Sequence, residues 1–211
     1  FNPYSGMPGK VIRFLEGIIR EPLRTGSQTS QRRITGKDIV ERFCEESGIP
    51  ALLLNDDLPL EPDQILERFN SNVFGQPHAA AAVTDMLVKL KTRISKERKP
   101  IASILFAGPT GVGKTELAKV LAELVFGDRN RMIRFDMSEY SGPDAVFRLT
   151  GAGDADGLLT SAVRKEPFCV LLFDEIEKAS PDFYDLLLQI LDEGRLSDNS
   201  GKLVNFCSAI I

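Results

Sequence analysis

Histidine is nearly absent from this sequence, cysteine is scarce, positive charge is not in excess, and no hydrophobic run is long. The single His78 cannot build a metal site or a histidine-based triad without partners, and the sequence offers none. The three cysteines, Cys44, Cys169 and Cys207, are too few and too scattered for a disulfide framework or a zinc site. Cys169 and Cys207 lie in apolar runs and read as small core residues, and this usage fits a reducing, cytoplasmic compartment. Against 26 Lys and Arg stand 30 Asp and Glu, a net charge of −4, which disfavours coating nucleic acid or anionic lipid through bulk charge. No apolar stretch approaches the roughly 18 residues that span a bilayer. The opening FNPYSGMPGK has neither the apolar core of a secretory signal nor an initiator Met, so a processed or excised piece is expected. What is present is ordinary for a soluble protein: 211 residues, 43% apolar and 27% charged, enough for one large domain or a medium and a small one.

The chain changes character near residue 62. Residues 10–20 place Val11, Phe14, Leu15, Ile18 and Ile19 at helical spacing, and Pro22 stops the run. RTGSQTSQRR then reads as a polar loop. A second helix is expected over 34–43, capped by Thr35, with Ile39, Val40 and Phe43 inward. Pro50, Pro59 and Pro62 break the next stretch into a linker-like arm. A short helix over 61–70 and a longer one over 79–94 follow. The longer one ends in Lys89, Lys91, Arg93, Lys96, Arg98 and Lys99, a solvated face; no aromatic residues are interleaved for base stacking, so nucleic acid is not the expected partner.

From Ile101 onward, strands alternate with helices. ASILFA (102–107) reads as a buried strand, 114–126 as a helix stopped by Gly127, and 132–135 as a short strand. CVLLF (169–173) is continuously apolar, as a strand covered on both faces should be. Ser180 and Pro181 open a helix in the cap and first-turn positions, burying Phe183, Leu186, Leu187, Ile190 and Leu191, and Gly194 closes it. DNSGK is a turn, and CSAII begins one more strand. The fold class is therefore α/β: a parallel sheet flanked by helices, incomplete at the C-terminus, preceded by a small helical segment.

The strongest chemical signal is GPTGVGKT, which fits G-x-x-x-x-G-K-[ST] between a strand and a helix. Gly108, Gly111 and Gly113 permit backbone angles that turn successive N–H groups of the loop, which also holds Pro109, Thr110 and Val112, around a phosphate. The helix N-terminus, reaching Glu116, adds partial positive charge. Lys114 reaches the β- and γ-phosphates, and the Thr115 hydroxyl is a hard ligand for Mg²⁺. The second half is CVLLFDE, whose Asp174 and Glu175 emerge at the carboxyl edge of the sheet. Asp174 suits the metal, and Glu175 suits polarising a water for attack on a γ-phosphate.

GPTGVGKTELAK, FDMSEY, VLLFDEIEKASPDFYDLLLQILDEGRLSDNSGK and VFGQ, in this order-preserving set, resemble the second ATPase module of Clp-type AAA+ unfoldases and disaggregases over about residues 66–211. MPGKVIRFLEGI and ITGKDIVERFCEESGIP are more loosely similar to the end of a preceding module's small helical domain. The resemblance implies a P-loop NTPase (AAA+) fold, with residues 1–62 as that helical segment and linker and 63–211 as a truncated nucleotide-binding domain. It implies Mg-dependent ATP hydrolysis in a self-associating ring, usually a hexamer, that threads polypeptide, with a protease or adaptor as further partner. By the same resemblance Glu175 and Lys114 are catalytic, residues 108–116 bind phosphate, Asp174 and Thr115 hold the metal, and Val73 and Phe74 meet the adenine.

Two departures from the family pattern stand out. The segment RLTGAGDADGLLT has no aromatic residue where the family's substrate-gripping loop carries one, and the expectation is a mobile loop omitted at the Gly153–Asp154 junction. The chain also stops before the family's arginine finger and lid, so this piece is expected to bind nucleotide weakly and turn it over hardly at all. Arg148 and Arg195 read as surface ion-pair formers. A nucleic-acid remodelling ATPase and a nucleotide-dependent assembly module are the alternatives.

Overall fold

The structure, a computed structural model, describes residues 9, 11–12, 14–17, 34–47, 61–92, 99–152, 155–198 and 200–211. The chain divides into two compact units, Phe1–Pro59 and Leu60–Ile211.

In the first unit, helix α1 (Gly36–Ser47) starts as its sequence dictates. The Asp38 carboxylate accepts the Thr35 N–H at 2.7 Å, and the Thr35 hydroxyl oxygen accepts the Asp38 N–H at 3.4 Å, a reciprocal cap that satisfies two orphan donors. Phe43 meets Phe14 edge-on, ring centroids 6.0 Å apart. The described residues among 9–17 are helical. Ile39 is 40% exposed rather than inward, and Val11 and Leu15 are also largely exposed, because no described residue of this unit covers them. The end of the first expected helix, the polar loop, the proline-rich arm and most of the basic run lie outside the described residues.

The second unit opens with helices α2 (Pro62–Asn72) and α3 (Pro77–Thr92), each begun by a proline in its first turn. Helix α4 (Lys114–Phe126) follows the glycine-rich loop and stops at Gly127, which takes the left-handed conformation (φ 77°). Ile65 and Phe69 of α2, Val83 and Leu87 of α3, and Leu117, Leu121 and Val125 of α4 are all buried. An ion-pair network fastens this packing at the surface. Arg129 donates to Glu116, Glu123 and Asn72, and Arg68 donates to Glu123 from α2.

Strands β1 (Met132–Asp136) and β4 (Val170–Asp174) pair in parallel, Asp136 opposite Asp174. On the other side of β4, Ile210 bridges both Val170 and Ala102, again in parallel. The order across the sheet is thus 102, 210, β4, β1. The expected buried strand over 102–107 is realised only in its first residues. Its last backbone pairing among the described residues is Ile104 N–H to Ile211 C=O at 2.7 Å. The next residue, Leu105, is 79% exposed.

One face of β1 and β4 is covered by α5 (Ala145–Thr150), α6 (Leu158–Lys165) and α7 (Pro181–Glu193), with Phe135, Leu149, Leu159, Leu171, Phe183 and Ile190 in their common core. Between α5 and α6 lies a hairpin of two-residue strands, β2 (Gly151–Ala152) and β3 (Ala155–Asp156). A second hairpin, β5 (Arg195–Ser197) with β6 (Leu203–Asn205), forms where the sequence predicts only a turn. Arg195 makes the expected surface ion pair, with Glu193 at 3.1 Å. Arg148 does something else: its guanidinium lies 4.7 Å from the Tyr140 ring centroid and donates to the Glu139 carbonyl at 2.7 Å. Cys169 is buried, but Cys207 is only half-buried because it sits in a turn after β6. No helix among the described residues is long and apolar enough to cross a membrane.

Candidate active site

The loop between residue 107 and α4 is shaped by glycine. Gly111 and Gly113 hold φ of 81° and 95°, left-handed values that cost a side chain roughly 1–2 kcal/mol. At Gly113 a Cβ would also come within 3.0 Å of Val73 Cγ1, so the loop and the segment after α2 touch. The Lys114 ammonium turns back and donates to the Gly108 and Pro109 carbonyls at 2.6 and 2.8 Å.

At the sheet's carboxyl edge, Asp174 is the last residue of β4 and Glu175 the first beyond it. Glu175 is the one non-glycine among the described residues with positive φ (53°). Such strain is stored where the surroundings over-determine a residue. Here the Asp174 carboxylate accepts the Glu175 N–H at 3.1 Å, and the Lys178 ammonium grips the Glu175 carboxylate at 2.6 Å. That bond, ahead of other charges, raises the Lys178 pKa. Asp136, at the end of β1, has its pKa lowered, first by the Ser138 hydroxyl and then by the Ser138 N–H.

A cavity of about 1050 Å³ joins these pieces: Gly108, Thr110, Gly111, Gly113, Lys114, Thr115 and Glu116 on one wall, Asp174 and Glu175 on another. A smaller one of about 390 Å³, lined by Val73, Gln76, Val83, Met86, Val112 and Leu117, shares Gly113 and Lys114 with it. Two expected site residues fall outside both. Phe74 is 83% exposed, because the turn after α2 directs Val73 inward and the next side chain to solvent. Pro109 contributes only its carbonyl, to Lys114. Glu116 stands on the rim, but its carboxylate is engaged by Arg129 at 2.7 Å. Arg134, outside every motif of the sequence, also lines the larger cavity and lies 2.8 Å from Asp174. A lone cation inside the apolar strand MIRFD, two residues before Asp136, was the signal available.

Residues 99–211 match the AAA domain (Cdc48 subfamily) family. The chain is 42% identical over 203 residues to chaperone protein ClpB 1 of Synechococcus elongatus, covering 93% of this chain and 23% of that protein. Against ClpB of Bacteroides thetaiotaomicron it is 43% identical over 190 residues, 86% of this chain and 22% of the relative. Against ClpB of Aquifex aeolicus it is 42% identical over 184 residues, 84% and 18%. This chain belongs to the Clp-type AAA+ ATPases. It spans about a fifth to a quarter of the length of these relatives. For a Clp-type AAA+ ATPase, whose family works on nucleotide, the parallel sheet with helices on both faces is the P-loop NTPase arrangement, and the glycine-rich loop and acidic pair stand at its carboxyl edge.

Proposed function

We propose that this chain binds ATP with Mg²⁺ and hydrolyses it, as the second ATPase module of a ring-forming Clp-type chaperone that unfolds or disaggregates polypeptides. The observation that carries the proposal is the single cavity holding Lys114, Thr115, Asp174 and Glu175 beneath a left-handed glycine loop. The donor set suits the ligand: backbone N–H groups and an ammonium for a polyphosphate, a hydroxyl and a carboxylate for a hard divalent cation. Bound there, Mg²⁺ would neutralise phosphate charge as it develops.

The chain's own groups do the rest. Lys114 leaves the Gly108 and Pro109 carbonyls, which only hold it at rest, and turns to the phosphates. Thr115 and Asp174 would hold the metal, the hydroxyl and the carboxylate supplying hard oxygen donors. Glu175 orients the attacking water and accepts its proton, for which it must leave Lys178. Val73, rather than Phe74, supplies apolar surface to the base in the smaller cavity. The first unit is read as the end of a preceding module's small domain, and the protein as cytoplasmic. The relatives' printed name, chaperone protein, supports polypeptide substrates.

The test uses two substitutions. Lys114→Ala is expected to abolish binding of fluorescent ADP to the 211-residue chain. Glu175→Gln, in the parent protein, is expected to keep binding and stop turnover. Undiminished ADP binding by the first, or undiminished hydrolysis by the second, refutes the assigned role.

A further inference from the structure

We infer that Arg134 is the resident counter-ion of Asp174: it holds that carboxylate while no metal is bound and yields it when metal and nucleotide enter. The inference rests on the nucleotide reading above and adds a positioning residue to it.

Strand register brings the groups together. Arg134 lies opposite Leu172, and Asp136 opposite Asp174, in a parallel pair. The two-residue period therefore puts Arg134, Asp136 and Asp174 on one face at one edge. The guanidinium lies 2.8 Å from Asp174 Oδ2 and 3.7 Å from Asp136 Oδ2. Asp136 is already committed, its Oδ1 accepting both the N–H and the hydroxyl of Ser138. Asp174 Oδ1 accepts the Glu175 N–H, so Oδ2 is the oxygen that Arg134 and an incoming cation both want. The Asp174 side chain is only 19% exposed, whereas Arg134 is half exposed and free to swing into the cavity it lines.

Arginine suits this place because it never loses its charge. Without metal, a bare Asp174 would repel a polyphosphate across the cavity, and Arg134 cancels that repulsion. With metal, Arg134 is the competitor that must leave. Removing it therefore has opposite signs in the two conditions, whereas a residue that only held β1 to β4 would weaken both.

The test measures binding by the whole 211-residue chain. Fluorescent ADP is titrated in EDTA, and Mn²⁺ is titrated at saturating ADP with the free ion followed by paramagnetic resonance. Arg134→Met is expected to weaken metal-free ADP binding about three- to fivefold and to tighten Mn²⁺ by a similar factor. Arg134→Lys, which keeps the charge and guards against a folding artefact, is expected to fall between. If both affinities move in the same direction, or neither moves, the inference is overturned while the wild-type Mn·ADP complex still stands. Failure of the wild type itself to bind ADP in either condition overturns the nucleotide reading, and this inference with it.

Discussion

Gly157 shows how one position can be closed to every side chain with no unusual backbone angle. Its φ and ψ of −72° and 141° suit any residue. Yet a Cβ there would overlap the Thr150 carbonyl carbon, the Gly151 nitrogen and the Leu149 carbonyl oxygen, all main-chain atoms that cannot rotate away. Gly157→Ala is therefore expected to destabilise by about 3 kcal/mol or more, read as a lower midpoint in urea. Gly111→Ala, where nothing stands within 4 Å, pays only the left-handed angle, about 1–2 kcal/mol. Asp198 is another residue with an outsized role. Its carboxylate accepts from Ser200, from the Lys202 N–H and from Arg164 of α6, and its pKa is lowered far below the ordinary range, first by the Ser200 hydroxyl and then by Arg164. A folded-state pKa below the unfolded value, about 3.9, contributes stability above that pH and loses it as pH falls toward the folded value. Asp198→Asn should thus lower the melting temperature at pH 7, and the gap to wild type should narrow by pH 3.

At the scale of elements, helix α7 tests what a cap is worth when its hydrogen bond is missing. Ser180 occupies the N-cap position ahead of Pro181, as the sequence implies, but its hydroxyl makes no capping bond. It is buried without a partner, while its N–H donates to the Tyr140 carbonyl at 3.0 Å. A capping serine replaced by alanine ordinarily costs about 1 kcal/mol. Here Ser180→Ala removes an unsatisfied buried hydroxyl, so thermal melting should show no loss or a gain. Both ends of α4, by contrast, were legible, because Lys114 follows a left-handed Gly113 and Phe126 precedes a left-handed Gly127. The hairpin of β5 and β6 was not. RLS and LVN are three residues each, too short for a period-two signal, and they are paired by the Asp198 turn and by Leu196 and Val204 reaching the core.

Over the whole molecule, burial sorts the three cysteines. Cys169, fully buried at the start of β4, has its pKa pushed up to about 12, first by desolvation and then by Glu166. Cys44 and Cys207 are half-buried. A maleimide at pH 8 is therefore expected to modify the native chain at Cys44 and Cys207 and to reach Cys169 only in denaturant, with intact mass counting the adducts. Labelling of Cys169 in the native state would contradict the packing of β4 between its neighbours.

The local words of this chain were readable one by one: the strand, the glycine loop, the lysine, the acidic pair and the helix stops each depend on near neighbours in sequence. Periodicity and turn chemistry specify such features without knowledge of the rest of the fold. What only the folded molecule decided is which distant groups meet. Register between β1 and β4 delivered Arg134 to Asp174, and the turn after α2 sent Val73 toward Gly113 and Phe74 into solvent. Those outcomes depend on side chains dozens of residues apart sharing one sheet face or one turn: a lone arginine in an apolar strand can be seen in the linear order, but which carboxylate it meets is set only in space.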